Sequence, residues 1–120
     1  MKIDPKTFVH DYQLNICIQC GTCTGGCPVK FRSPLNMRRL VRETHLTDNF
    51  SSISKRPELW ACTTCSTCSL RCPSGVKNVE LIMGIRNFLA NKGEVPSTIR
   101  DALENTLLHG NPWGRFRDRR

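Results

Sequence analysis

One cysteine pattern occurs twice in this chain and limits what it can fold into. Cysteines stand at 17, 20, 23 and 27, with Pro28 after the last, and again at 62, 65, 68 and 72, with Pro73 after the last. Each run reads C-x2-C-x2-C-x3-C-P, and the copies are offset by 45 residues at every cysteine. The chain has only 120 residues, one Tyr, two Trp and five Phe. A single domain of that size buries about two-thirds of the surface its unfolded form exposes, so an internal staple is expected. The eight cysteines supply it.

The kind of staple follows from compartment and spacing. Met1-Lys2-Ile3-Asp4-Pro5 opens no apolar signal segment, and no apolar run approaches the length of a membrane span. A cytoplasmic location is expected, where thiols stay reduced and serve as metal ligands rather than disulfides. Zinc sites use paired C-x2-C units, so a third cysteine in the same tight loop is redundant for zinc. The run found here is the bacterial spacing that binds [4Fe-4S] cubes. Thiolates at i, i+3 and i+6 let one short loop wrap three corners of a cube. Small residues, Gly21, Thr22, Gly25 and Gly26 in one copy and Thr63, Thr64, Ser66 and Thr67 in the other, admit backbone N–H groups to the sulfides. In two-cluster ferredoxins the fourth cysteine of such a run serves the other cluster. On that precedent Cys17, Cys20, Cys23 and Cys72 form one ligand set, and Cys62, Cys65, Cys68 and Cys27 the second.

Helices are expected around these loops, and no segment carries the two-residue period of a strand. Asp4 and Pro5 open a short helix with Phe8, Val9 and Tyr12 on one face. Ser33 is expected to cap the next, with Pro34 at its first position and a stripe of Met37, Leu40, Val41 and Thr44. Residues 47–56 read as a loop, and Pro57 opens a brief turn through Leu59 and Trp60. Asn78 is expected to cap a helix that Gly93 ends, with Leu81, Ile82, Ile85, Phe88 and Leu89 inward and Gly84 either marking close approach to a neighbouring helix or simply tolerated there. Pro96 begins a last helix, with Ile99, Ala102, Leu103 and Leu107 on one side and Gly110 as its stop. The post-loop helices, begun at 34 and 79, carry the same 45-residue offset, matching Met37 and Leu40 to Ile82 and Ile85. The expected architecture is all-α: a helical ferredoxin built from a duplicated loop–helix unit. It spans residues 1–110, with cluster loops 17–28 and 62–73, and leaves 111–120 as a basic tail for partner contact.

Charge bears on function. The formal net charge is +8. Two [4Fe-4S] sites with their thiolates add about −4, leaving roughly +4. Part of the excess balances cluster charge, and part forms a solvated face or a surface for an acidic partner, with Arg38, Arg39, Arg42 and the tail arginines as candidates. Nucleic acid is not expected, because no binding motif is present and the basic residues do not alternate with stacking aromatics. His10, His45 and His109 lack ligand spacing. Trp60 with Ile16, Ile18, Leu59, Leu70, Val29 and Val76 is expected to shield the clusters, and Trp113 and Phe116 to cap the core or anchor a partner. All eight cysteines are used as ligands, so no iron stays open for substrate and no catalytic residue is assigned. The residues predict one-electron relay by a chain that is not a complete enzyme alone.

The sequence also resembles the C subunit of heterodisulfide reductase. Cys17-Ile18-Gln19-Cys20-Gly21-Thr22-Cys23-Thr24-Gly25-Gly26-Cys27-Pro28 is similar to that family's first cluster loop. Leu59-Trp60-Ala61-Cys62-Thr63-Thr64-Cys65 and Arg71-Cys72-Pro73 are similar to its second, and Gly110-Asn111-Pro112-Trp113-Gly114 to a motif after its last helix. The resemblance implies a helical two-cluster ferredoxin in a hetero-oligomer. It implies a place between a flavin-bearing iron–sulfur subunit and a catalytic subunit that reduces a disulfide, in methanogens that of coenzyme M and coenzyme B. The catalytic subunit's hallmark is Cys-Cys-Gly, and this chain has no adjacent cysteines. Two alternatives stand: an iron–sulfur subunit of a fumarate, glycolate or glycerol-3-phosphate dehydrogenase, or a structural iron–sulfur module that binds nucleic acid.

Overall fold

Proline at the head of a helix needs no hydrogen-bond partner for its nitrogen, and the first helix begins on one. In the computed structural model, which describes residues 5–47 and 50–115, α1 runs Pro5–Asp11. The expected Asp4 cap lies outside the described residues. Two short helices sit in the cysteine loops, α2 (Thr22–Gly25) and α5 (Thr67–Leu70). Longer ones follow them, α3 (Met37–Leu46) and α6 (Asn78–Asn91). Between these halves lies α4 (Ser51–Ser54), and α7 (Ser97–His109) comes last. The fold is all-α, with no strand among the described residues. The chain divides into two compact units, residues 1–89 and 90–120.

The duplication reaches into the backbone of the first unit. A 3-10 turn precedes each loop, at Leu14–Ile16 and at Pro57–Ala61. Left-handed residues then fall at Gln19 and Gly21 in the first loop and at Thr64 and Ser66 in the second, again 45 apart. A loop hydroxyl caps the helix beyond. Arg38 N donates to Thr24 Oγ1 at 2.9 Å, and Val79 N donates to Ser69 Oγ at 3.2 Å.

The helices do not keep the 45-residue register. Their starts, Met37 and Asn78, are 41 apart. Ser33 is not the cap of α3: its hydroxyl accepts from Leu35 N at 3.3 Å in a local turn, and Asn36 caps instead, accepting from Arg39 N at 3.0 Å. The buried residues Leu35, Leu40, Val41 and Thr44 therefore correspond to Val76, Leu81, Ile82 and Ile85. The second linker is four residues shorter, which is about one helical turn. Asn78 is the first residue of α6 rather than its acceptor cap. It is buried, and its amide donates to Cys68 O at 3.1 Å and Val76 O at 3.3 Å, tying the loop to the helix.

The core of this unit gathers both halves. Phe8 and Leu14 come from the N-terminal segment, the inner faces of α3 and α6 supply most of the rest, and Leu59 enters from the turn before the second loop. The 47–56 stretch is not simply loop. Phe50 and Ile53, at the turn of α4, are buried in the core. Phe50 lies between Phe8 and Phe88 at centroid distances of 5.1 and 4.9 Å, and Phe8 meets Tyr12 edge-on at 5.0 Å. Each such ring pair contributes about 0.5–1.5 kcal/mol beyond its burial. Outside the core, Glu43 accepts from Arg39 at 2.7 Å and from Arg56 at 2.6 Å and fastens α3 to the segment after α4.

The second unit contains α7, which ends at Gly110 in the left-handed conformation, with Gly110 N donating to Thr106 O at 3.0 Å. None of its side chains is buried, and Leu103, Leu107 and Leu108 are exposed. Buried Asn111 closes the turn beyond by accepting from Arg115 N at 3.1 Å and donating to His109 O at 3.1 Å. Trp113 stands exposed on that turn.

Gly84 is where α6 meets α1. A β-carbon there would lie 2.5 Å from Tyr12 Oη and 3.1 Å from Phe8 Cζ, and the two rings pack on each other. Gly84→Ala is expected to destabilise the protein by about 1–3 kcal/mol through overpacking, despite alanine's better helix propensity. Circular dichroism at a fixed scan rate should record a melting temperature several degrees lower; equal melting would mean that α1 can yield.

Candidate metal centres

Each cysteine loop is bent by residues that would not choose the bend. Thr64 has φ 53° and Ser66 has φ 63°, left-handed values that cost a side-chain-bearing residue about 1–2 kcal/mol. Gln19 at φ 57° and Gly21 at φ 81° repeat the bend in the first loop. The bend turns backbone and side-chain donors onto sulfur. Thr64 N donates to Cys62 Sγ at 3.4 Å, and Gln19 Nε2 donates to Cys17 Sγ at 3.3 Å. Val76 N donates to Cys72 Sγ at 3.3 Å.

The loops enclose two cavities, each completed by the opposite half of the unit. The first is lined by Cys17, Cys20 and Cys23 from the first loop, and by Cys72, Val76 and Asn78 from beyond the second. The second is lined by Cys62, Cys65 and Cys68 from the second loop, and by Cys27, Leu35 and Met37 from beyond the first. Cys23 borders both. Each fourth cysteine crosses because the proline after it opens a turn that carries the chain past the other loop, Pro28–Phe31 being a 3-10 turn in the first copy. Among the described residues no three Cys, His, Asp or Glu side chains converge as a single ion requires. The thiols surround spaces rather than points. Four thiol donors around a walled space suit a [4Fe-4S] cube, whose iron atoms sit at separate corners.

The thiols differ by place in the loop. Cys20 and Cys65, second in each run, are exposed. Hydrogen bonding with the hydroxyls of Thr22 and Thr67, each 3.4 Å from its sulfur, holds their pKa values below the ordinary thiol range. Third in each run, Cys23 and Cys68 face inward. Burial pushes both thiols up, Cys68 to about 11, so assembly of a centre here must release protons.

Other expected residues divide. Leu59 and Val76 are buried behind the loops, and Val29 lines the second cavity. Ile18 lines the first cavity while much of it stays exposed, and Ile16 and Leu70 are instead exposed on the surface. Trp60 is half-buried beneath the guanidinium of Arg86, at 5.4 Å. Arg86, which binds carbonyls at the second loop, carries no signal in the sequence that sets it apart from other helix arginines. The capping hydroxyls Thr24 and Ser69 do carry one, their 45-residue spacing, but only the structure gives that spacing a meaning. Arg38 lines the first cavity and is exposed. Phe116 lies outside the described residues.

The loop bend separates tolerated from damaging changes at Gly21. A β-carbon there finds only ordinary contact with Arg38, at 3.7 Å, so backbone conformation alone decides. Gly21→Ser gives the first loop the residue that the second already carries and should leave iron content unchanged. Gly21→Val should cost about 1–2 kcal/mol and lower the iron bound per chain. Equal iron in both variants would mean that the bend is unnecessary.

Comparison with known proteins agrees with this geometry. Residues 13–76 match the 4Fe-4S dicluster domain family. Over 82 residues the chain is 44% identical to the C2 subunit of H(2)/formate:CoB-CoM heterodisulfide,ferredoxin reductase of Methanococcus maripaludis, covering 68% of this chain and 44% of that protein. Over 77 residues it is 47% identical to the iron–sulfur C subunit of CoB–CoM heterodisulfide reductase of Methanopyrus kandleri, covering 64% and 40%. With the second iron–sulfur C subunit of the Methanocaldococcus jannaschii reductase the identity is 37% over 97 residues, covering 81% and 51%. The chain thus spans about half the length of these curated relatives. Family match, relatives and eight loop cysteines converge: the chain belongs to the 4Fe-4S dicluster family, is like the C subunits of heterodisulfide reductases, and carries two [4Fe-4S] clusters.

Proposed function

We propose that this chain relays single electrons through its two clusters inside a heterodisulfide reductase-type complex. The donor would be a flavin-bearing iron–sulfur subunit, and the acceptor a Cys-Cys-Gly catalytic subunit that reduces the disulfide of coenzyme M and coenzyme B or a related one. The observation that carries this reading is the shared wall. Cys23 borders both cavities, so the two centres share a wall across which an electron can pass. When bound, the clusters supply one-electron redox chemistry; the chain's residues hold them, limit water and present their edges. Cys17, Cys20, Cys23 and Cys72 hold one, and Cys62, Cys65, Cys68 and Cys27 hold the other. Cys20 and Cys65 supply the exposed edges through which electrons enter and leave.

The relatives' names support the placement, and the chain has no adjacent cysteines of its own for disulfide chemistry. Residues 1–110 serve as the cluster-binding part and 111–120 as a basic contact, in a cytoplasmic hetero-oligomer. No helix among the described residues is long and apolar enough to cross a membrane. Arg38 and Arg42 are exposed on α3 and available to an acidic partner, whereas Arg39 is engaged by Glu43 at 2.7 Å.

Anaerobically purified protein should contain about eight iron and eight sulfide per chain; one zinc per four cysteines would end this reading. Cys27→Ala should damage mainly the cluster held by Cys62, Cys65 and Cys68, as read by electron paramagnetic resonance, and damage confined to the other would reverse the ligand sets. Replacing Arg38 and Arg42 with Glu should weaken assembly with the flavin and Cys-Cys-Gly subunits while both clusters persist. Assembly unchanged at physiological salt would remove the docking role. Salt-dependent capture of oligonucleotides, with no such subunits, would favour the nucleic-acid alternative.

A further inference from the structure

The two halves of the first unit match closely enough to reveal where they differ. With the loops aligned at 45 residues and the following helices at 41, Arg86 on α6 corresponds to His45 on α3. In the second half the guanidinium fills the space between helix and loop. It is half-buried, donates to Leu59 O at 3.0 and 2.6 Å and to Cys62 O at 2.7 Å, and lies over the Trp60 ring. Cys62 is a ligand of the second cluster on the reading above, on which this inference rests. The corresponding space in the first half is an open groove lined by Leu14, Cys17, Gln19, Arg42 and His45. His45 is exposed there.

We propose that Arg86 is a positioning and potential-setting residue for the second cluster alone: its charge, fixed behind Cys62, raises that cluster's reduction potential above the value the loop itself would give. A [4Fe-4S] centre with four thiolates gains a negative charge on reduction, so a fixed cation nearby stabilises the reduced form more than the oxidised one. Arginine keeps its charge throughout the accessible pH range, and bonds to two carbonyls, one in the turn before the loop and one at its first cysteine, fix where that charge sits. Burial limits screening. Arg38, on the wall of the first cavity, is exposed, and solvent and salt damp its effect. At the position of the second half corresponding to Arg38 stands Val79, which brings no charge. Arg86 is therefore the cation built against the second loop, and its carbonyl bonds reach a ligand residue directly.

The test is a redox titration of the cluster-loaded chain followed by electron paramagnetic resonance, with iron and sulfide counted in each sample. Arg86→Gln should lower one of the two midpoint potentials and leave the other where it was. Arg86→Lys, which keeps the charge, should return the lowered midpoint most of the way. In a Cys65→Ser background, which marks the second cluster's signal, the midpoint that moves should be the marked one. Both midpoints unmoved, or both moved equally, with eight iron retained, would overturn the proposal while leaving the two-cluster reading intact. Wild-type protein without two clusters would sink the reading itself. Should Arg86→Gln lose its second cluster, Arg86→Met, similar in volume and uncharged, carries the same test. Loss of that cluster in both variants would assign Arg86 a purely structural part and overturn the electrostatic claim.

Discussion

The fold of residues 1–89 rests on an exchange between its halves. Each cysteine loop provides three walls of a cavity, and the chain beyond the other loop provides the fourth thiol and the apolar backing. Neither cavity closes without the opposite half. This makes the meeting of the two halves, with α2 against α5, an obligation of the site as well as of the core. Met37 and Leu35 back the second cavity from α3 and its approach, and Val76 and Asn78 back the first from the start of α6. All four are buried, so each is at once a core residue and a cavity wall.

The exchange explains why left-handed strain is retained at Thr64. A β-branched residue at φ 53° is a poor choice for a free loop. Its amide, however, points at Cys62 Sγ, and any conformation that relaxed the backbone would turn that donor away. The first loop reaches the same sulfur position differently, with the side chain of Gln19 donating to Cys17. One backbone bend therefore serves two donor types, and the bend rather than the donor is what the halves share. A thiolate wrapped by such donors is stabilised without any counter-ion in contact, so cations are free to act from outside the loop.

Much of this is legible in the sequence because cysteine spacing within a loop is rigid information. The eight cysteines, the all-helical class and the inward faces of α3 and α6 all follow from spacing and period. Helix register is harder, and the reason is geometric. Residues four apart on a helix share a face, so an apolar stripe looks the same when shifted by one turn. Matching Met37 and Leu40 to Ile82 and Ile85 satisfies the periodicity as well as the observed match of Leu40 and Val41 to Leu81 and Ile82. Only the capping hydroxyls Thr24 and Ser69 break the tie, and hydroxyls in a loop carry no periodic signal. Ser33 is ambiguous for a related reason. A serine before proline is a fair cap by type, but Asn36 stands where Thr24 can bond it, at 3.1 Å. Phe50 and Ile53 are hidden within a polar stretch, where two apolar residues have too few neighbours to show a period.

Duplication with divergence also explains how a nearly symmetric scaffold acquires two unlike electron sites. Ligand identity is fixed by the cube, so the cysteines cannot vary between halves. The bends are shared as well, because each places a donor on sulfur, a backbone amide in one half and a side chain in the other. What remains free is the layer that touches loop carbonyls and cavity walls from the helices. Differences accumulate there: Arg38 is matched by Val79, and His45 by Arg86. Both exchanges alter charge, and neither falls on the buried stripe of Leu40, Val41 and Thr44 or on its counterparts Leu81, Ile82 and Ile85. Charge near a cluster changes its potential, whereas the same change on a distant face is screened away. A two-centre relay built this way can set its centres apart through a few helix positions while its ligands and core stay as they are.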